Sequence, residues 1–199
     1  MAEILREPLL PDPIRAGLAA GWKVIDASTL AEDRDITADV AIVGTGAGGG
    51  TAAEILAQAG LAVVMIEEGP LATSSDFRMR EADAYPQLYQ ESAARKTKDK
   101  AINVLQGRCV GGGTTVNWTS SFRTPATTLE RWADAFGLAG FGAADLAPWF
   151  ERMEQRLNVT AWPVVPNENN DVLRRGAQAL GLGANAIRRN VKGCWNPSG

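Results

Sequence analysis

The residues of this 199-residue chain best suited to chemistry are the backbone amides of a glycine cluster and a carboxylate that follows it. Residues 44–49 fit the pattern G-x-G-x-x-G, and Glu67 lies about 20 residues further on, the spacing of dinucleotide-binding proteins. Gly44 permits a tight turn, Gly46 lets the backbone approach a diphosphate, and Gly49 permits close helix packing. Exposed amides at a helix start bind anions, and Glu67 can accept hydrogen bonds from ribose hydroxyls. Glu68 stands where a 2′-phosphate would require a basic residue, which favours an unphosphorylated ribose.

The elements that must position these groups can also be predicted. Residues 39–43 and 61–66 are short apolar runs typical of buried parallel strands. Residues 47–59 between them have the periodicity of a helix, and Gly60 stands where a left-handed residue ends one. Strand, helix and strand within about 30 residues predict a right-handed βαβ crossover.

A second glycine cluster occupies residues 107–118 and offers another concave run of backbone amides for an anion. Arg108 could support a cofactor or hold this loop by hydrogen bonds. Cys109 is expected to be a small buried residue rather than a nucleophile. A brief strand is predicted just before the cluster, over residues 101–105.

Residues 39–69 together with 107–118 resemble the glucose–methanol–choline (GMC) oxidoreductase family. The run from Val110 to Trp118 is most similar to the long-chain alcohol oxidase branch, whereas many relatives have glycine at the position of Trp118. The resemblance implies FAD as cofactor and oxidation of the CH–OH group of a small-molecule alcohol, with a long-chain or otherwise hydrophobic substrate. It extends from about residue 39 to the end of the chain.

Carried over by position, the resemblance gives each glycine cluster a part of FAD to bind. The first would hold the diphosphate and Glu67 the ribose, while residues 111–114 would lie along the phosphate and ribityl region. Asn117 and Trp118 would lie close to the isoalloxazine ring, with a turn cap and core filler as their alternative roles. The predicted FAD-binding residues are Gly44, Thr45, Gly46, Ala47, Gly48, Gly49, Glu67, Glu68, Arg108, Val110, Gly111, Gly112, Gly113, Thr114, Asn117, Trp118 and Thr119.

The predicted fold is α/β: a partial Rossmann-like FAD/NAD(P)-binding fold with a parallel sheet and crossover helix, followed by a mainly helical segment. Residues 1–37 form a lead-in that includes a helix over residues 14–22. Residues 38–125 form the N-terminal part of the FAD-binding domain, and 126–199 lead into a substrate domain. In this last segment, Thr127 with Glu130 predicts a capping box, and Asn170 a helix cap. Apolar stripes at helical spacing predict core packing for Trp132, Phe136, Trp149 and Met153.

Composition excludes several other classes of function. The net charge is −3 and basic residues form no stripe, so nucleic-acid binding is not expected. Two widely separated cysteines, with no CxxC pair, predict neither a zinc site nor a disulfide framework, and no metal site is expected. Neither a secretory signal nor an apolar run of about 20 residues is visible, so we expect no membrane span and a cytoplasmic protein.

The chain contains no histidine. The resemblance implies a catalytic histidine near the C-terminus of a much longer chain, where it takes the alcohol proton. We therefore expect no catalytic residue in this chain and interpret it as the N-terminal fragment of the enzyme, truncated or split. The alternatives are a fragment of an NAD-dependent dehydrogenase, or a nucleotide-binding subunit that assembles with a complementary C-terminal polypeptide. An incomplete sheet would expose apolar surface, so the isolated chain is expected to bind FAD weakly and to aggregate.

Overall fold

The computed structural model describes residues 11–162 and 164–192. The chain divides into two compact units between Asn117 and Trp118. The first unit contains the parallel strands and both glycine clusters except Trp118, and the second is mainly helical.

The centre of the first unit is a strand–helix–strand motif, as the sequence predicted. Strand β1 (Val40–Val43) lies parallel to β2 (Val63–Ile66), with Val40 opposite Val63 and Val43 opposite Ile66. Helix α2 (Ala47–Gln58) connects the strands and contacts both of them. Gly60 has φ +88°, a conformation that glycine adopts without strain, and it ends the helix.

The strands are less buried than their apolar sequences suggested. Both were expected to be buried on the two faces of the sheet, but Val43 is 85% exposed and Ile66 is 53% exposed. The physical reason is that the sheet of β1 and β2 has two strands, and α2 is the main helix that contacts it within the described residues.

Shorter elements surround this motif. They are α1 (Pro13–Ala19), a 3₁₀ turn (Ala27–Thr29), α3 (Glu81–Leu88), a second 3₁₀-type turn (Gln90–Ala93) and α4 (Gly113–Val116). Helix α1 is shorter than the predicted 14–22. The strand predicted over residues 101–105 is wrong: the chain folds back there in a tight loop, and Lys96 and Asn103 form one antiparallel bridge. Asp99 holds that loop by accepting hydrogen bonds from Thr97 and from the Ala101 N–H.

The beginning of α1 is tied to the segment that follows β2. The Asp12 carboxylate caps the helix by accepting from the Arg15 N–H and also accepts from the N–H and hydroxyl of Ser75. Arg15 in turn donates to Thr73 and pairs with Asp76. Burial raises the pKa of Asp12, but these hydrogen bonds lower it by more than burial raises it. The net pKa therefore lies well below its ordinary value.

The second unit consists of three helices and a short antiparallel pair of strands. These are α5 (Ala126–Phe136), α6 (Ala143–Arg156), β3 (Val159–Thr160), α7 (Glu168–Ala179) and β4 (Arg189–Asn190). Val159 lies opposite Asn190, and Thr160 lies opposite Arg189. Leu129 of α5 is buried, and Gly137 ends that helix in the left-handed conformation.

Both predicted caps in this unit are wrong. Helix α5 begins after Pro125, whose fixed φ suits a helix start, and no side chain caps it, so the Thr127–Glu130 capping box does not form. Helix α7 is capped by Asn167, whose side chain accepts a hydrogen bond from the Asn170 N–H. Asn170 therefore lies within the first turn instead of preceding it.

The core packing predicted for the aromatic stripes is also wrong. Phe136 is 68% exposed and Trp149 is 59% exposed, and Trp132 and Met153 are also accessible to solvent. Helical periodicity identifies an apolar face but not what covers it, and within the described residues these four side chains are not covered.

Candidate nucleotide-binding site

The first glycine cluster forms the turn between β1 and α2. Gly44 has φ +92° and donates its N–H to the Ile66 carbonyl at 2.7 Å, which turns the chain sharply at the end of the strand. Gly46 is the N-cap of α2, and no side chain caps this helix. The first helical turn is closed by the Gly50 N–H, which donates to the Gly46 carbonyl at 2.8 Å. The amides of residues 47–49 therefore point out of the helix start, where an anion can accept from them.

The space above this helix start is open. A Cβ atom on Gly46 or Gly48 would meet no protein atom within 4 Å. Gly46 has φ −66° and ψ −171°, a conformation available to any residue, so neither its own backbone nor its neighbours require glycine. In contrast, a Cβ on Gly49 would overlap the Gly44 carbonyl oxygen, so Gly49 is required for packing inside the protein. The first unit thus contains a cradle that fits a diphosphate.

The Glu67 carboxylate, at the end of β2, lies at this loop. Its Oε2 accepts hydrogen bonds from the Thr45 N–H at 2.9 Å and from the Thr45 hydroxyl at 2.6 Å, and its Oε1 accepts from the Gly69 N–H at 3.2 Å. The same hydroxyl accepts a hydrogen bond from the Gly111 N–H at 3.0 Å. Thr45 therefore links the carboxylate to both glycine clusters.

These contacts keep Glu67 charged. Burial raises the pKa of its carboxyl group, but the hydrogen bonds from Thr45 and Gly69 lower it more, so the net pKa lies below its ordinary value of 4.5. A carboxylate is acceptor-only, and each of its oxygens has two lone pairs. Oε1, which takes the longer bond, retains capacity for a donor such as a sugar hydroxyl.

The second glycine cluster lies against the first. A Cβ on Gly112 would come within 3.1 Å of the Gly46 Cα, so the two loops approach closely through backbone alone. Gly111 and Gly112 both have positive φ, and a Cβ on Gly107 would overlap the Gly112 carbonyl. Cys109 is completely buried beneath this loop, and burial raises the pKa of its thiol, as expected for a packing residue rather than a nucleophile.

The remaining predicted residues of the first unit lie around this loop. Arg108 forms an ion pair with Glu68, with Nε 3.3 Å from Oε2, and both side chains are exposed. The Val110 N–H donates to the Pro70 carbonyl, and the Thr114 hydroxyl donates to the Gly111 carbonyl. The Asn117 side chain donates to the Thr114 carbonyl at 3.3 Å, which is the turn contact foreseen as its alternative role.

Trp118 and Thr119 belong to the second unit. The Trp118 side chain is 75% exposed, so its alternative role as core filler is wrong. Arg189 donates to the Trp118 carbonyl at 2.8 Å and to the Thr119 hydroxyl at 3.2 Å. Sequence reasoning did not find Arg189, because an arginine distant in sequence carries no pattern that connects it to this turn.

Parallel strands joined through a glycine turn and a helix define an α/β protein with the βαβ unit of dinucleotide-binding folds.

Comparison with known proteins agrees with this class. The family model for GMC oxidoreductase matches residues 85–199, more than half of the chain. The chain therefore belongs to the GMC oxidoreductase family, which confirms the resemblance drawn from the glycine clusters.

Curated relatives support the same family, and a solved structure supports the fold. The chain is 37% identical to long-chain-alcohol oxidase FAO4B of Arabidopsis thaliana over 155 residues, which cover 78% of this chain and 21% of that protein. It is 39% identical over 160 residues to an uncharacterised GMC-type oxidoreductase of Mycobacterium tuberculosis, covering 79% of this chain and 25% of that protein. An FAD-dependent oxidoreductase from Chaetomium thermophilum matches with a TM-score of 0.54 at 18% identity, over 76% of this chain and 33% of that one.

The chain spans about a fifth of the length of the Arabidopsis relative and a quarter of the mycobacterial one. Within the described residues, none of the helices combines the length and the apolar character needed to span a lipid bilayer.

Proposed function

We propose that this chain supplies the part of an FAD-dependent alcohol oxidoreductase that binds the ADP portion of the cofactor. FAD is the cofactor that the family indicates, and the residues present fit it. The observation that carries the proposal is the helix start at Gly46, where outward amides face open space and a charged carboxylate stands at the loop. That combination suits a diphosphate next to a ribose.

Each part of the site has a defined task in this proposal. The amides of residues 47–49 bind the diphosphate, and Glu67 accepts a hydrogen bond from an adenosine ribose hydroxyl through Oε1. By the family resemblance, the loop of Gly111 and Gly112 would lie along the cofactor beyond the diphosphate, and its close approach to Gly46 supports this assignment. Asn117 and Trp118 are assigned to the isoalloxazine end by their position in the family motif. We assign Glu68 and Arg108 to holding the loop as an ion pair at its edge.

The proposed reaction is oxidation of a CH–OH group. When bound, the flavin supplies a hydride acceptor, and the alcohol proton goes to a base. The chain contains no histidine, and we assign that base to none of its residues. The names of the Arabidopsis relatives support a long-chain alcohol as the substrate class. The cytoplasmic location, the truncated or split origin and a complementary polypeptide stay predictions.

The test is isothermal titration calorimetry, in which FAD, ADP or NAD⁺ is added to the 199-residue chain. The wild type and two glycine variants are compared. Gly46→Ala places a methyl group in the open cradle, where it would meet no protein atom within 4 Å, so we expect it to weaken FAD and ADP binding about 10- to 100-fold. Gly176→Ala is the matched control, because its Cβ also meets no protein atom within 4 Å but lies in α7, in the second unit.

Three outcomes separate the candidate functions. Binding of FAD and ADP that Gly46→Ala weakens and Gly176→Ala leaves unchanged supports the proposal. Preference for NAD⁺ over FAD would favour the NAD-dependent dehydrogenase. A folded wild-type chain that binds none of the three nucleotides, or one whose binding is insensitive to Gly46→Ala, would overturn the assignment of the cradle.

A further inference from the structure

The turn at residues 118–121 is held by the C-terminal strand β4 and its neighbours. Arg189 Nη1 donates to the Trp118 carbonyl at 2.8 Å, and the Asn190 N–H donates to the Thr119 carbonyl at 3.1 Å. The Ser121 N–H donates to the Arg188 carbonyl at 2.9 Å. Successive carbonyls of the turn thus receive donors from one strand that lies about 70 residues further along the chain.

The turn needs such support because of Thr119. This residue has φ +62°, in the left-handed region that a β-branched side chain rarely adopts. A residue in that conformation persists where its surroundings over-determine it, and such residues cluster at functional positions. Here Arg189 also donates to the Thr119 hydroxyl at 3.2 Å, so the strained residue is bound through its side chain and its carbonyl.

Arg189 is itself held in place. Its guanidinium lies over the Trp162 ring, 5.2 Å from the ring centroid, in a cation–π contact. Its backbone lies in β4, opposite Thr160 of β3. The neighbouring Arg188 donates to the Val159 carbonyl at 2.9 Å and pairs with Glu154, which fixes the strand from its other side. A pre-organised arginine fork loses little freedom when it binds two acceptors, so it suits this task better than a lysine.

We propose that Arg189 is a positioning residue for the Trp118 turn: it stabilises the left-handed Thr119 and thereby fixes the direction in which the exposed Trp118 side chain leaves the backbone. The inference rests on the proposed function for its consequence, because that function assigns Asn117 and Trp118 to the isoalloxazine ring. In that function, an indole held in one direction would constrain the environment of the flavin.

The first part of the test concerns the turn alone and uses the full chain without FAD. Amide hydrogen exchange is measured at Ser121 and Asn190, whose N–H groups bond across the turn. We expect Arg189→Met to accelerate this exchange about 10- to 100-fold, the effect of losing hydrogen bonds from a charged donor. Arg189→Lys should restore part of the protection, and adding Thr119→Gly to Arg189→Met should restore more, because glycine adopts a positive φ without strain.

The control is Arg188→Met, which removes from the adjacent strand position a side chain that donates to the Val159 carbonyl and pairs with Glu154. It should lower thermal stability while leaving exchange at Ser121 and Asn190 close to wild type. Exchange unchanged in Arg189→Met, or raised equally in both variants, would overturn the proposal whether or not FAD binds.

The second part uses the emission of flavin at saturating FAD, which a merely structural role of Arg189 would not move. An indole next to the ring quenches this emission, so Trp118→Phe and Arg189→Met should both increase it, and Arg188→Met should not. Emission that rises in Trp118→Phe but not in Arg189→Met would overturn the positioning role and leave the proposed function intact. Emission unchanged in Trp118→Phe would instead refute the placement of Trp118 beside the flavin, which belongs to the proposed function.

Discussion

Thr45→Val tests the link between the two glycine clusters with little change of shape. The Thr45 hydroxyl donates to the Glu67 carboxylate at 2.6 Å and accepts from the Gly111 N–H at 3.0 Å, and both bonds are partly buried. A hydrogen bond to a charged group contributes about 1.5–3 kcal/mol and a neutral one about 0.5–1.5 kcal/mol. Replacing the hydroxyl by a methyl group should therefore lower the free energy of unfolding by about 2–4 kcal/mol, a large part of the stability of a typical domain.

The assay is urea unfolding followed by circular dichroism, with FAD titration of the same proteins. Thr51→Val is the matched control, because the exposed Thr51 hydroxyl donates to the Ala47 carbonyl within its own helix. Thr45→Ser retains the hydroxyl and should keep most of the stability. The variant Thr45→Val should also bind FAD more weakly, because its glycine loops are no longer joined. Equal destabilisation by Thr45→Val and Thr51→Val would refute the bridging role.

Two further predictions follow from the packing and the charges. Gly107→Ala should lower the free energy of unfolding by about 1–3 kcal/mol, because its Cβ would overlap the Gly112 carbonyl; a melting temperature equal to wild type would contradict this. Hydrogen bonds from Arg123, with a smaller contribution from Arg188, lower the pKa of Glu154 to about 2 from 4.5. The stabilisation by this carboxylate is fully present above about pH 5 and is lost as the pH falls towards 2, so the melting temperatures of wild type and Glu154→Gln should differ at neutral pH and converge near pH 2. A difference that persists at pH 2 would exclude the carboxylate as its cause.

The local architecture of the site could be predicted because its signals are short-range. Gly44 marks a strand-to-helix turn and Gly60 marks the end of the helix, each through a positive φ that glycine adopts without strain. Gly46 follows from the spacing of the G-x-G-x-x-G pattern. The family resemblance then placed the second glycine cluster in the same site. The close approach of Gly112 to Gly46 agrees with that placement.

The contacts that join distant segments could not be predicted in this way. Thr45 and Gly111 are 66 positions apart, and no spacing rule connects a threonine hydroxyl to that particular amide. Arg189 at the Trp118 turn is a second case. Helix caps were also misplaced, since Asn167 and Asn170 are equally suitable by residue type and the backbone alone decides which of them precedes the helix. The burial of the aromatic stripes was mispredicted for another reason. Periodicity indicates which face of a helix is apolar, but it does not indicate whether another element packs on that face.

The central claim is that the amides at the start of α2 bind the diphosphate of the cofactor, and that Glu67 accepts a hydrogen bond from its ribose. Nuclear magnetic resonance of the labelled chain during addition of ADP tests it most directly. The account predicts the largest shifts at the amides of residues 47–49, together with a change at the Glu67 carboxyl carbon, and their loss in Gly46→Ala. Shifts concentrated instead at residues 95–100, a segment with four basic side chains, and absent at residues 47–49 would contradict it.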